Sequence, residues 1–150
     1  MPVELVKTAT PEIIDAINEL LPQLSSSATA LTDEQVEDLL RQEGVFLFAF
    51  RTAESAPVTG MLTLATFTIP TGLRAWIEDV VVSEAARGNG AGRALVDEAV
   101  AYAEHLGAKS VDLTSRPNRE AANRLYVRCG FEKRETNVYR YKASQVVDSI

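Results

Sequence analysis

Residues 87–93, Arg-Gly-Asn-Gly-Ala-Gly-Arg, combine two things that an anion site needs. Glycines at 88, 90 and 92 let the backbone approach a ligand closely. The run ends where an amphipathic helix begins, so unpaired N–H groups and the positive end of the helix point the same way. The plainer reading of such a run is a glycine-rich surface turn. Two known phosphate loops can be tested against it by spacing. A Walker loop needs Lys and Ser or Thr after its last glycine, where this chain has Arg93 and Ala94. The dinucleotide fingerprint needs its third glycine three residues after its second, and that position is Arg93; only Asp112, on the next predicted strand, speaks for it. The spacing that fits is Arg-x-x-Gly-x-Gly, carried by Arg87, Gly90 and Gly92 directly after an apolar strand.

That strand, Arg74 to Val82, contains Glu78 and Asp79, two carboxylates in an otherwise aromatic and β-branched run. Strict alternation sends them to opposite faces of a sheet, so one of the two can serve a given site directly. The bland alternative for either is a surface or hydrogen-bonding carboxylate.

The elements that must hold these groups are legible from periodicity. Val3 to Lys7 reads as an edge strand. Thr10, Pro11 and Glu12 open a helix with apolar residues at 13, 14, 17, 20 and 21, which Pro22 ends or bends. Thr32 with Gln35 forms a capping box for a second helix to about Gln42. Val45–Phe50 is apolar on both faces and belongs inside a sheet, with Val58 to Ile69 as its hairpin partner. After the glycine loop, Ala94 to Leu106 is helical and Gly107 closes it. Ser110 to Thr114 is a short strand, and the strand–helix–strand order requires it to run parallel to the strand before the loop. The loop therefore lies at a carboxyl end, where open α/β sheets bind ligands. A last helix starts at Asn118 or Arg119 and ends at Cys129, followed by a hairpin with strands at 131–134 and 138–141. Tyr139 and Tyr141 alternate there with Arg140 and Lys142, leaving an edge that could pair with a second copy to give a homodimer.

Length fits one domain over 1–150, large enough for a core without disulfide or metal. A formal net charge of −6 disfavours nucleic acid and anionic membrane as partners. Cys129 is the single cysteine, so neither an internal disulfide nor a multi-thiolate metal site is expected. No run of the sequence has the length and apolarity of a membrane span, and the cytoplasm is the expected location. The single His105, near a helix end, reads as favouring the negative end of that helix.

With a second block, Asn123-Arg124-Leu125-Tyr126-Val127-Arg128-Cys129-Gly130-Phe131, the chain resembles the GNAT superfamily of acyl-coenzyme A N-acyltransferases over roughly residues 44 to 142. The resemblance implies an α/β (α+β) fold: a central mixed, mostly antiparallel sheet of six to seven strands flanked by about four helices. It implies acetyl-coenzyme A as cosubstrate, its pantetheine arm along Val80, Val81 and Val82, and its pyrophosphate on the N–H groups of Arg87, Gly88, Asn89, Gly90, Ala91, Gly92 and Arg93. It implies a catalytic base at Glu78 and an acid for the departing thiolate at Tyr126, which without the resemblance reads as packing. The family often has an Asn seven residues before that tyrosine. Here the position is Arg119, with Asn118 one earlier, and either is left as the coenzyme contact.

The implied reaction needs a base for a physical reason. A primary amine of pKa about 10.4 costs roughly 4.6 kcal/mol to hold neutral at pH 7. The expected activity is direct transfer of an acetyl group, in a ternary complex, to a primary amine of a small molecule. A protein or peptide amino group is the alternative acceptor, and a non-catalytic acetyl-coenzyme A-binding regulatory domain the alternative class. Ile77-Glu78-Asp79 and Cys129-Gly130-Phe131 also look like amino-sugar-phosphate N-acetyltransferases, but Thr114-Ser115 stands where those carry an acidic residue.

Overall fold

The computed structural model describes residues 2–143. β1 (Val3–Val6), β2 (Val45–Phe50), β3 (Gly60–Ile69), β4 (Gly72–Val82) and β5 (Val111–Asp112) form one sheet in the order β1-β2-β3-β4-β5. The first four strands are antiparallel, and β5 runs parallel to β4 as the crossover requires. Between them α3 (Ala91–Leu106) covers one face of the sheet. Its Leu95, Val96, Ala99 and Ala103 are completely buried against Phe48, Phe50, Leu62, Leu64, Ala75 and Ile77. The other face is covered by α1 (Pro11–Leu24) and α2 (Asp33–Arg41), which bury Ile13, Ile17, Leu20 and Val36 on Leu47, Ala49, Met61 and Val81. β2 thus feeds both cores from alternate residues, which is why its sequence is apolar throughout.

Local sequence sets most boundaries. Thr10 caps α1 through its hydroxyl, which accepts from Ile13 N at 3.3 Å, and Thr32 and Gln35 form the expected reciprocal box on α2. Pro22 does not end α1, which continues to Leu24. So close to the C-terminus the missing N–H forfeits one bond, to Asn18, whose side chain is itself tied to Leu31 at 2.8 and 3.1 Å. Arg51, at the end of β2, gathers β1 and α1 by ion pairs to Glu4 (2.7 Å) and Glu12 (2.8 Å).

Two expectations about the sheet are corrected. The described residues hold five strands rather than six to seven, because residues 131–143 form no strand and no hairpin. Glu132, Lys133 and Arg134 give the first half of that segment no apolar face to bury, and a two-stranded hairpin without such a face is marginal. The parallel strand is also short, pairing with β4 only at Ala75↔Val111 and Trp76↔Asp112.

Candidate active site

β4 pairs with β3 along its length, but not in even register. Met61 faces Val81 and Thr63 faces Glu78, so two residues of β4, Asp79 and Val80, stand opposite Leu62 alone. This is a β-bulge, and Asp79 sits in it at φ 50°, a left-handed conformation that Asp tolerates better than most residues. The bulge reverses the alternation. Ile77 packs into the α3 core while Val81, four residues on, packs into the opposite α1–α2 core. In an unbroken strand the two would share a face.

Glu78 and Asp79 both line one cleft of about 230 Å³, with Leu24, Ile77, Val80, Leu113, Thr114, Arg119 and Tyr126. From Ile77 onward β4 has no partner on its β5 side among the described residues, so the backbone of Val80, Val81 and Val82 faces the gap between the two strands. A bulge raises local twist, which is a reason for neighbouring strands to separate there.

At the end of β4, a turn of 3-10 helix at Glu84–Ala86 leads into the glycine loop. Gly88 (φ 93°) and Gly90 (φ 74°) are both left-handed, and Gly90 caps α3. The first hydrogen bond beyond the loop is Ala94 N–H to Gly90 C=O at 3.0 Å. The N–H groups of Gly88, Asn89, Gly90, Ala91, Gly92 and Arg93 therefore have no acceptor among the described residues. Charge placement agrees. α1, α2 and α4 (Glu120–Arg128) each carry an acidic residue in the first turn, as the helix dipole favours, whereas α3 has none and carries Arg93 as its third residue. A helix start that forgoes its own favourable charge is suited to an anion from outside. Arg87 is exposed, 3.9 Å from Glu84, and Arg93 pairs with Asp97 at 3.2 Å. Gly92 has a different task. A Cβ there would lie 3.0 Å from the Leu125 side chain, so this glycine sets how closely α3 and α4 approach.

α4 (Glu120–Arg128) presents Tyr126 to the cleft as its one buried residue. Its end is a Schellman closure: Phe131 N–H donates to Tyr126 C=O at 2.9 Å, and Gly130 N–H, at φ 96°, donates to Val127 C=O at 3.0 Å. The hydrophobic contact that accompanies the motif is here Phe131 against the Tyr126 ring, 6.1 Å between centroids. The Gly-Phe pair thus fixes the tyrosine. Burial pushes the Tyr126 phenol above its usual pKa, opposed by the positive charge of Arg119. It remains a protonated donor at neutral pH.

The structure brings Tyr126, Glu78 and Val80 together on the cleft, with Val81, Val82 and the loop 87–93 leading away from it along β4. Asn118 is exposed and does not line the cleft; Arg119 does. Sequence reasoning passed over Asp79 as a partner of Glu78, and with it Leu24, Leu113 and Thr114. A signal for the first existed, since Asp is poorly suited to a strand interior and comparatively tolerant of positive φ. A separate hollow of about 270 Å³ between α1 and α2 is lined by Ala9, Pro11, Ile14, Asp15, Asp33 and Glu37 and has no comparable set of free N–H groups.

Comparison with known proteins agrees with this arrangement. The family model described as Acetyltransferase (GNAT) family matches residues 12–131. No curated protein matches the chain in sequence. Among solved structures, a protein from Agrobacterium tumefaciens str. C58 described as an acetyltransferase is 26% identical, with TM-score 0.81 over 95% of this chain and 100% of its own. An aminoglycoside acetyltransferase from an uncultured soil metagenomic sample, in complex with sisomicin, is 17% identical, with TM-score 0.82 over 95% of both chains. A ribosomal-protein-alanine N-acetyltransferase from Brucella melitensis biovar Abortus 2308 is 18% identical, with TM-score 0.75 over 95% of this chain and 100% of its own. With its bulged β4, glycine loop and Tyr126 helix, and with the family match spanning most of its length, the chain belongs to the GNAT acetyltransferase family.

Proposed function

We propose that the protein is an N-acetyltransferase that uses acetyl-coenzyme A and a primary amine of a small molecule, acting as a single domain in the cytoplasm. The observation that carries this reading is the six consecutive N–H groups from Gly88 to Arg93 without an acceptor, placed at the end of the strand that brings two carboxylates and a buried tyrosine to one cleft. Such donors fit a pyrophosphate, and the free edge of Val80–Val82 fits the amide-bearing arm that joins the pyrophosphate to the thioester. Acetyl-coenzyme A, when bound, supplies an acetyl group activated as a thioester.

The chain's own residues supply the rest. Glu78 takes up the proton that the amine must lose, a loss that costs roughly 4.6 kcal/mol at pH 7. Asp79, on the same cleft, adds negative charge that attracts the cationic acceptor. Tyr126 holds a proton at its hydroxyl for the departing sulfur, and its burial keeps that proton in place. The cleft of about 230 Å³ suits the reacting end of an amine.

The test is release of free thiol from acetyl-coenzyme A in the presence of a panel of small amines and peptides. Turnover with a small amine, together with a rise in melting temperature on adding acetyl-coenzyme A, is expected. Gly90→Glu, which places bulk and negative charge at a left-handed position, should abolish that rise. Stabilisation that survives in a folded Gly90→Glu protein would remove the pyrophosphate assignment. Turnover confined to peptides would shift the acceptor class, and stabilisation without any turnover would point to a binding domain.

A further inference from the structure

We infer that Arg119 makes the cleft selective for an acceptor that carries an anionic group, carboxylate or phosphate, a few carbons from its amine. The inference rests on the proposed function and narrows its acceptors from amines at large to zwitterions. The cleft holds a cation without a counter-ion. Arg119 lines it together with Glu78 and Asp79, yet among the described residues it pairs with neither. Arg41, Arg51, Arg87 and Arg93 each have a carboxylate at 3.9 Å or less. The Arg119 charge is nonetheless felt inside the cleft, at the Tyr126 hydroxyl, where it opposes the effect of burial.

The coenzyme does not supply the missing anion. Its negative charges are phosphates, which belong with the free N–H groups of residues 88–93, while the arm that brings the thioester to the cleft is neutral. The run of α4 separates the two places. Gly92 lies against the Leu125 side chain, so the C-terminal half of α4 is the part beside the glycine loop. Arg119 lies about 9 Å back along the helix axis at 1.5 Å per residue, toward the other end.

The acceptor is then the molecule left to meet the guanidinium. Two carboxylates and one guanidinium on so small a cleft match the two ends of a zwitterion, with the ammonium at Glu78 and Asp79 and the anion on the planar fork of Arg119. A polyamine would set a second positive charge against Arg119, which selects against it.

The test compares acceptors matched except for the anion, β-alanine with propylamine and phosphoethanolamine with ethanolamine, at saturating acetyl-coenzyme A. The anionic member of at least one pair should have the higher kcat/KM, and the responding pair tells carboxylate from phosphate. Arg119→Gln should lower that ratio by at least about tenfold, the low end for a hydrogen bond to a charged group. Arg119→Lys should keep part of the preference, and Arg119→Glu should turn it toward 1,3-diaminopropane, a reversal that a merely structural arginine would not give. The Arg119 side chain makes no cap hydrogen bond to α4, so these variants should fold. Absence of any preference in the unaltered protein overturns the inference. An equal loss for both members of a pair in Arg119→Gln also overturns it, since the guanidinium would then serve the coenzyme or the departing sulfur. If no amine turns over, the proposed function is what fails, and binding decides on Arg119. Its Nε–H resonance should shift with β-alanine or phosphoethanolamine and not with propylamine or ethanolamine; a resonance that responds to none of them overturns the inference.

Discussion

Replacing Tyr126 by Phe separates the two roles that a buried tyrosine can have. The ring stays, and with it the packing on Phe131 at 6.1 Å and the burial that leaves Tyr126 only 8% exposed. Only the hydroxyl goes, and no side-chain hydrogen bond contributes to its pKa. The stability loss should therefore stay below about 1 kcal/mol, which in a domain of this size shifts the melting temperature by no more than about 4 °C. Catalysis should respond differently. Loss of a positioned proton donor typically costs about 100- to 10,000-fold, and at 1.36 kcal/mol per tenfold even the lower figure is about 2.7 kcal/mol of barrier. The assay is thiol release with a responsive amine, with acetyl-coenzyme A affinity measured alongside and expected to stay within a few-fold. The pH profile supplies a second reading. Burial raises the phenol above its ordinary value, so the acid form persists below about pH 10 and kcat should not fall at moderately alkaline pH through loss of this proton. Normal turnover by Tyr126→Phe, under conditions where single-turnover kinetics show chemistry to be rate-limiting, would refute the assignment of Tyr126 as the acid.

Glu78→Gln should lower turnover chiefly near neutral pH and recover toward wild type as the amine becomes neutral in solution; a deficit equal at all pH values would speak against a base at this position. Gly92→Ala places a methyl 3.0 Å from the Leu125 side chain, so overpacking of about 1–3 kcal/mol opposes a helix-propensity gain of about 1 kcal/mol. Melting curves of Gly92→Ala, Leu125→Ala and the double mutant should then show a coupling of at least about 0.5 kcal/mol, and strict additivity would deny the contact.

Much of the frame was legible because it rests on local rules. The capping box at Thr32, the glycine stops at Gly107 and Gly130, the two-faced apolarity of β2 and the amphipathic α3 each follow from a few adjacent residues, and each is in place. The glycine loop belongs to the same class. Left-handed positions at Gly88 and Gly90 and a helix start without an acidic residue are local properties, and the run 87–93 by itself offered an anion site or a glycine-rich surface turn.

What the chain alone did not decide are the features that depend on where two strands slip past each other. The bulge at Asp79 and Val80 exists because Thr63 pairs with Glu78 while Met61 pairs with Val81, a register chosen by the burial of Ile77 and Val81 in opposite cores. Period-two reading presumes an unbroken strand and so would put Ile77 and Val81 on one face, where the structure buries them in opposite cores. Gly92 looked like part of the ligand loop, yet its contact is with Leu125 on a helix more than thirty residues later. The segment after Phe131 has the alternation of a strand, but strands are made by partners, and among the described residues it has none. Local propensity, capping and charge are written residue by residue; register, bulge and edge pairing emerge only when separate segments compete to bury the same apolar surface.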